Sequence, residues 1–209
     1  MADDPDLDRA YAVTSKDDIK TLYSDWAESY DASFITAKGY RLPELVARAF
    51  IAAGGSGAVL DVGAGTGAVA AHLKAAGIGP IDALDLSPEM LEVARGKGLY
   101  RELIAADVLA PLTMIEPGRY DGVVSAGTFT HGHVGPEGIA NLLDIAAPGA
   151  LFALSINAAH FEARGFADAF DRMAGRIAEL QTPEAPIYDD RADPEHRGDT
   201  ARIVTFRRL

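Results

Sequence analysis

Asp61 closes an apolar run, and Gly63, Gly65 and Gly67 follow it at alternate positions in VLDVGAGTGAVAAHL, residues 59–73. Glycine lacks the Cβ that bars other residues from tight turns and holds ligands off the main chain. Three glycines between an apolar strand and a helical pattern let a nucleotide-like ligand lie close to the backbone, at the free N–H groups of the helix start. The spacing is G-x-G-x-G, whereas the dinucleotide fingerprint is G-x-G-x-x-G and rests a pyrophosphate on the helix. Ala68 and Val69 stand where the third glycine of the longer form would be sought. A carboxylate two residues before the first glycine opposes a pyrophosphate and suits a ligand bearing ammonium and sulfonium groups. Two further acids end the next two strand-like runs. Asp85, about twenty residues on, can accept from both hydroxyls of a ribose, a role shared by nicotinamide and sulfonium nucleosides. Asp107, in AADV, can accept from an adenine amino group while Val108 meets the ring; a turn cap is its competing role.

Proton chemistry points to TFTHGHVGPEG, residues 128–138. His131 and His133 follow the fourth strand, on the rim where an acceptor would meet the ligand. Histidine titrates near neutrality and can take a proton from an acceptor. The flanking glycines and the helix after Pro136 also suit a lining or capping role. His72, His160 and His196 read as surface or loop positions. The chain has no cysteine, which excludes thiol catalysis, disulfides and zinc–thiolate sites. Asp and Glu number 31 against 19 Lys and Arg, a net charge of −12 that repels phosphate backbones and anionic membranes. The densest basic stretch, RIVTFRRL at 202–209, reads as a strand. No apolar run approaches the roughly 18–20 residues of a membrane span, and MADDPDLDRAY lacks the basic-then-apolar order of a signal peptide. The expectation is a cytoplasmic protein acting on neither nucleic acid nor membrane.

The elements that must position these residues alternate. A stripe at Ile19, Leu22, Tyr23, Trp26 and Tyr30 predicts an amphipathic helix. A second helix fits Leu42 to Ala53, with Pro43 in its first turn and Gly54-Gly55 ending it. Strands follow at 58–62, 81–86, 102–108, 120–127 and 150–157, with helices at 67–76, from Ser87 as N-cap with Pro88 at its first position, and at 136–147. Phe166, Phe170, Met173, Ile177 and Leu180 share one helical face, and strands near 185–189 and 202–208 close the chain as an antiparallel hairpin. Alternating strands and helices predict an α/β fold with a mostly parallel sheet covered on both faces. With 209 residues, 48% of them hydrophobic, and no repeat or linker, the chain reads as one domain.

In this order the segments resemble the class I S-adenosylmethionine-dependent methyltransferases. VLDVGAGTG resembles their first motif, ALDLSPEMLEVAR the segment with the ribose-binding acid, and AADV the adenine side. YDGVVSAGTFTH resembles the fourth strand and the loop beside the methyl group, and PGALFALSIN the late strand opened by Pro-Gly. WAESYD, residues 26–31, resembles the N-terminal lid of the small-molecule group called type 11/12 or Williams-Beuren-region-like. The resemblance implies a Rossmann-like, seven-stranded, mostly parallel sheet with helices on both faces and an antiparallel C-terminal edge strand. Residues 15–53 would form a helical lid and 57–209 the core. It further implies S-adenosylmethionine as cofactor, S-adenosylhomocysteine as product and a small-molecule acceptor. Asp61, Gly63, Ala64, Gly65 and Gly67 would line the methionine part. Asp85 would hold the ribose, with Leu86 and Met90 near the adenine and Asp107 and Val108 at its edge. Ser125 and Ala126 would pass beneath the cofactor, and Tyr23, Tyr30 and Arg41 are candidates for the lid and the cofactor carboxylate. Tyr23 and Tyr30 also belong to the helical stripe, which packing alone produces. Two other classes stay open at this point: a non-catalytic module that binds the same cofactor, and a nicotinamide-dependent oxidoreductase on a similar fold.

Overall fold

The computed structural model describes residues 35–130 and 134–209. Helix α1 (Leu42–Ala52) carries Pro43 in its first turn and buries Leu42, Val46, Ala47 and Phe50 along one stripe. Then come β1 (Val59–Val62), α2 (Ala68–Ala75), β2 (Ile81–Asp85), α3 (Pro88–Gly96), β3 (Leu103–Ala105), β4 (Tyr120–Phe129), α4 (Glu137–Ile145) and β5 (Ala146–Asn157). The chain closes with α5 (Ala158–Ala163), α6 (Phe166–Arg172), β6 (Ile177–Gln181), β7 (Glu184–Pro186) and β8 (Thr200–Arg208).

The strands form one sheet in the order β3-β2-β1-β4-β5-β8-β6, with β7 also paired to β8. Strands β1 to β5 are parallel to their neighbours, and β8 runs antiparallel to β5. The order reverses beside β1: the chain leaves it for β2 and β3 on one side, then crosses to β4 on the other. Ligands of open parallel sheets bind at such a reversal, outside the carboxyl ends of the strands. The glycine loop, which leaves β1, lies there.

Strand residues alternate between the two faces of a sheet. Leu60 and Val62 pack into the core under α4, α5 and α6, with Ile139, Leu142, Phe161, Phe166 and Phe170. Val59 packs on the opposite face with Val46 and Phe50 of α1 and Val69, Ala70 and Leu73 of α2. That helical layer lies so close that a Cβ on Gly122 of β4 would come within 2.4 Å of the Phe50 ring.

The mixed α/β sheet agrees with the sequence, and three details differ. The stripe from Phe166 to Leu180 is not one helix: α6 ends at Arg172, and Ile177 and Leu180 belong to β6. The expected seven strands are eight because β6 and β7 lie end to end along β8, Ile177 opposite Arg208 and Glu184 opposite Arg202. Between them the Pro183 carbonyl accepts from the Ile203 N–H at 2.8 Å, while Glu179 takes a left-handed φ of 58°. Proline has no N–H for a ladder, so the outer strand is interrupted there. Finally, Pro148-Gly149 does not precede β5. The chain becomes extended at Ala146, and the dipeptide falls in a register shift between Tyr120–Ala146 and Gly122–Leu151.

Candidate cofactor site

Alternation along β1 sets Asp61 on the same face as Val59, under the first turn of α2, and it is fully buried. The Tyr100 hydroxyl donates to Asp61 Oδ2 at 2.7 Å. Asp61 Oδ1 is buried with no hydrogen-bond partner among the described residues. Burial pushes the carboxyl up to about 7; the Tyr100 hydrogen bond works against this, and the charge of Asp85 adds to it. Burial also raises the Tyr100 hydroxyl, and the adjoining carboxylate raises it further.

The Gly63 and Ala64 N–H groups donate to the Leu84 carbonyl at 2.7 and 3.2 Å, which folds the loop over the end of β2. Gly63 and Gly65 are both left-handed, with φ of 62° and 51°, but for different reasons. A Cβ on Gly63 would strike the Thr128 hydroxyl at 1.9 Å, so packing demands glycine there. A Cβ on Gly65 would meet nothing within 4 Å among the described residues, so Gly65 borders a cradle that a side chain would fill. Gly67, with φ of 98°, is the N-cap of α2 and lies against the Tyr100 ring. Ala64 is buried and packs with Ala83 and Leu91.

Asp85, half-buried at the end of β2, accepts from the Gly65 N–H through Oδ2 and from the Ser87 N–H through Oδ1, both at 2.8 Å. Burial raises its pKa, and the N–H groups of Ser87, Gly65 and Leu86 hold it back. A carboxylate oxygen has a second lone pair, so these bonds orient Asp85 and leave acceptor capacity for hydroxyl groups. Ser87 caps α3 as its sequence predicts, its Oγ accepting from the Met90 N–H at 3.2 Å. Leu86 is half-buried, while Met90 and Val108 are core residues, 2% and 5% exposed.

The remaining predicted residues divide. Strand β3 stops at Ala105, so Asp107 lies in the turn beyond it and accepts from the Leu109 N–H at 2.9 Å. That turn is fixed to α4, where Asn141 Nδ2 donates to the Val108 carbonyl at 2.8 Å. The Ser125 hydroxyl donates to the Val62 carbonyl at 2.8 Å, so Ser125 supports the root of the glycine loop from β4; Ala126 beside it is half-buried. Arg41 precedes α1 and donates its N–H to the Ile187 carbonyl at 2.8 Å. Its segment is held to the chain after β7 by the Lys38–Asp193 ion pair at 2.8 Å and the Tyr40–Tyr188 ring pair. Tyr23, Tyr30, His131 and His133 lie outside the described residues.

His160 is not a surface or loop position. It sits in α5, 3% exposed, with Nε2 3.0 Å from the Val134 carbonyl and its ring against Phe166. Asn157 caps that short helix and turns its inner face, His160 and Phe161, toward the core. Sequence reasoning also passed over Tyr100 and Thr128. Thr128 donates to the Val62 carbonyl at 3.1 Å and was in view within the fourth-strand segment. Tyr100 is 39 residues from its partner and carries no local signal.

The residues present fit a nucleoside with a cationic side chain. The Asp61 oxygen that has no partner among the described residues would offer charge beneath the loop, the Gly65 cradle would leave room for a ligand at the backbone, and Asp85 is oriented at the mouth of β2. A glycine loop at the sheet's reversal point, an acid ending β2 and an antiparallel strand beyond β5 make up the class I S-adenosylmethionine-dependent methyltransferase fold. Residues 59–149 match the family model described as a methyltransferase domain. Methyltransferase-like protein 27 of Homo sapiens is 36% identical over 139 residues, covering 64% of this chain and 56% of its own length. The chain thus matches little more than half of that relative. A protein solved in work on the conversion of a disulfide bond into a thioacetal group during echinomycin biosynthesis is 25% identical, with a TM-score of 0.63 over 91% of this chain and 90% of that one. The 1,6-didemethyltoxoflavin-N1-methyltransferase of Burkholderia thailandensis, with bound 1,6-didemethyltoxoflavin and S-adenosylhomocysteine, is 21% identical, with a TM-score of 0.62 over 90% and 87%.

Proposed function

We propose that the chain transfers a methyl group from S-adenosylmethionine to a small-molecule acceptor and releases S-adenosylhomocysteine. The observation that carries this reading is the open cradle at Gly65, set between the buried carboxyl of Asp61 and the oriented carboxylate of Asp85. Asp61 and the 63–67 loop would hold the methionine part, Asp85 the ribose hydroxyls, and Leu86 with the Asp107–Val108 turn the adenine side. The bound cofactor supplies an activated methyl on a sulfonium, so the protein's part is to place the acceptor and exclude water. His131 and His133 are the proposed proton acceptors for an acceptor that must lose a proton. They follow β4 in the chain, and the Val134 N–H just after them donates to the Thr128 carbonyl at 3.4 Å.

Two observations support a small acceptor. The net charge of −12 opposes polyanionic substrates, and the 1,6-didemethyltoxoflavin-N1-methyltransferase neighbour has 1,6-didemethyltoxoflavin and S-adenosylhomocysteine bound. The finer likeness to the small-molecule type 11/12 group points the same way. Among the described residues no helix is long and apolar enough to cross a membrane.

Titration calorimetry with S-adenosylhomocysteine and with NADH, followed by a screen of small acceptors for S-adenosylhomocysteine release, tests the proposal. Binding of S-adenosylhomocysteine alone and turnover with one acceptor class are expected. Tight binding of NADH alone would replace the reading with the oxidoreductase one, and binding without turnover on any acceptor would leave a cofactor-binding module.

A further inference from the structure

The geometry points to Tyr100 as a positioning residue of the cofactor site: its hydroxyl occupies one oxygen of Asp61, leaving the other as that carboxyl's open acceptor beneath the glycine loop. The inference rests on the cofactor reading above and extends it to a residue outside every glycine-loop or strand-end motif. Tyr100 lies between α3 and β3, and two contacts tie it to the site. Its hydroxyl donates to Asp61 Oδ2 at 2.7 Å, and its ring and hydroxyl stand 3.2 and 3.3 Å from where a Cβ on Gly67 would be. It therefore holds the carboxyl and the start of α2 together.

Little besides Tyr100 favours the ionised form of Asp61: the Ala70 N–H adds a smaller contribution, and the charge of Asp85 opposes it. Its strand neighbours in register are Ala83 on β2 and Val124 on β4. The inner faces of α1 and α2 present Val46, Ala47, Phe50, Val69, Ala70 and Leu73. The titratable groups that bear on it are Tyr100 and Asp85; His72 and Lys74 of α2 and Glu44 and Arg48 of α1 are exposed. No cation among the described residues neutralises Asp61. Burial thus holds its proton on until about neutrality, and a ligand bearing an ammonium group favours the ionised form. Binding then releases a proton near pH 7, and the Tyr100 hydroxyl sets the pH at which that occurs.

The test is titration calorimetry of Tyr100→Phe and Asp61→Asn beside the unaltered chain. Each titration is run between about pH 6 and 8.5 in buffers of different ionisation heat. The ligands are S-adenosylhomocysteine and 5′-methylthioadenosine, which lacks the amino-acid end. Losing one hydrogen bond to a carboxylate raises its titration by about one pH unit. A group half-ionised near pH 7 then falls to about one-tenth ionised. Tyr100→Phe is therefore expected to weaken S-adenosylhomocysteine about fivefold at pH 7, to regain most of that affinity by about pH 8.5, and to leave 5′-methylthioadenosine unmoved. Asp61→Asn is expected to bind S-adenosylhomocysteine with no proton release at any pH. If both ligands bind the unaltered chain, three results overturn the role of Tyr100: unchanged affinity in Tyr100→Phe, equal loss of both ligands, or a loss independent of pH. If neither ligand binds the unaltered chain, the cofactor reading itself falls.

Discussion

Replacing Asp61 by asparagine should stabilise the fold at alkaline pH and do so progressively less as the pH falls. In the folded chain the carboxyl is fully buried and titrates near 7, against 3.8 in the absence of these surroundings. A carboxyl whose folded pKa is raised contributes most below its unfolded value, and stability is lost as the pH rises to the folded value. At about 1.4 kcal/mol per pH unit, the rise makes ionised Asp61 cost the folded chain about 4 kcal/mol above neutrality. Asparagine removes that cost. Its carbonyl can take the Tyr100 hydrogen bond, but its amide then sits where Oδ1 has no partner, at about 1–3 kcal/mol. The net expectation at pH 8 is a gain of about 1–3 kcal/mol, or a midpoint raised by about 2–4 °C per kcal/mol for a chain of this size. The two stability curves cross between about pH 4.5 and 6, and below that crossing the asparagine variant is the less stable form. Denaturant and thermal unfolding of both forms from pH 4 to 8.5 measure this. A variant less stable than the unaltered chain at pH 8, or a difference that does not move with pH, would refute the burial argument. The buried charge is maintained at the expense of stability, as at many ligand sites.

Asp82, at the start of β2, should behave in the opposite way. It is fully buried and accepts from Arg101 at 2.7 and 2.9 Å, Arg119 at 3.0 Å and the Tyr120 hydroxyl at 2.9 Å. Burial opposes its charge, but these donors hold its pKa below the usual carboxylate range. Asp82→Ala strands them and should lower unfolding free energy by about 3 kcal/mol in a urea titration. Gly65→Ala meets no atom of the described residues but forces alanine into φ of 51°, costing about 1–2 kcal/mol. The variant should fold, and because its methyl enters the cradle, S-adenosylhomocysteine affinity by calorimetry should fall by more than about tenfold.

What the sequence revealed was what depends on neighbours along the chain. The glycine loop, the Ser87-Pro88 helix start and the order of strands and helices through β5 are local patterns, and each is found in its expected order along the chain. The helical stripe from Phe166 failed because Ile177 and Leu180 keep the helical period past Gly175, while the chain has already turned into an edge strand against β8. Asp107 was set at a strand end because AADV is apolar enough to extend β3, which stops two residues earlier. Tyr100 and the burial of His160 were hidden for a different reason. One depends on contact between β1 and the loop before β3, the other on a short helix docking against Phe166, and neither leaves a trace in spacing.

In the proposed function, the loop after β1 and the acid ending β2 form one nucleoside site. Calorimetric titration of S-adenosylhomocysteine into the unaltered chain and into Asp85→Ala, each confirmed folded by its thermal transition, tests it most directly. The variant loses the carboxylate that the Gly65 and Ser87 N–H groups orient, so affinity should fall well beyond about tenfold. Unchanged affinity would contradict the ribose role of Asp85 and with it the assignment of the site.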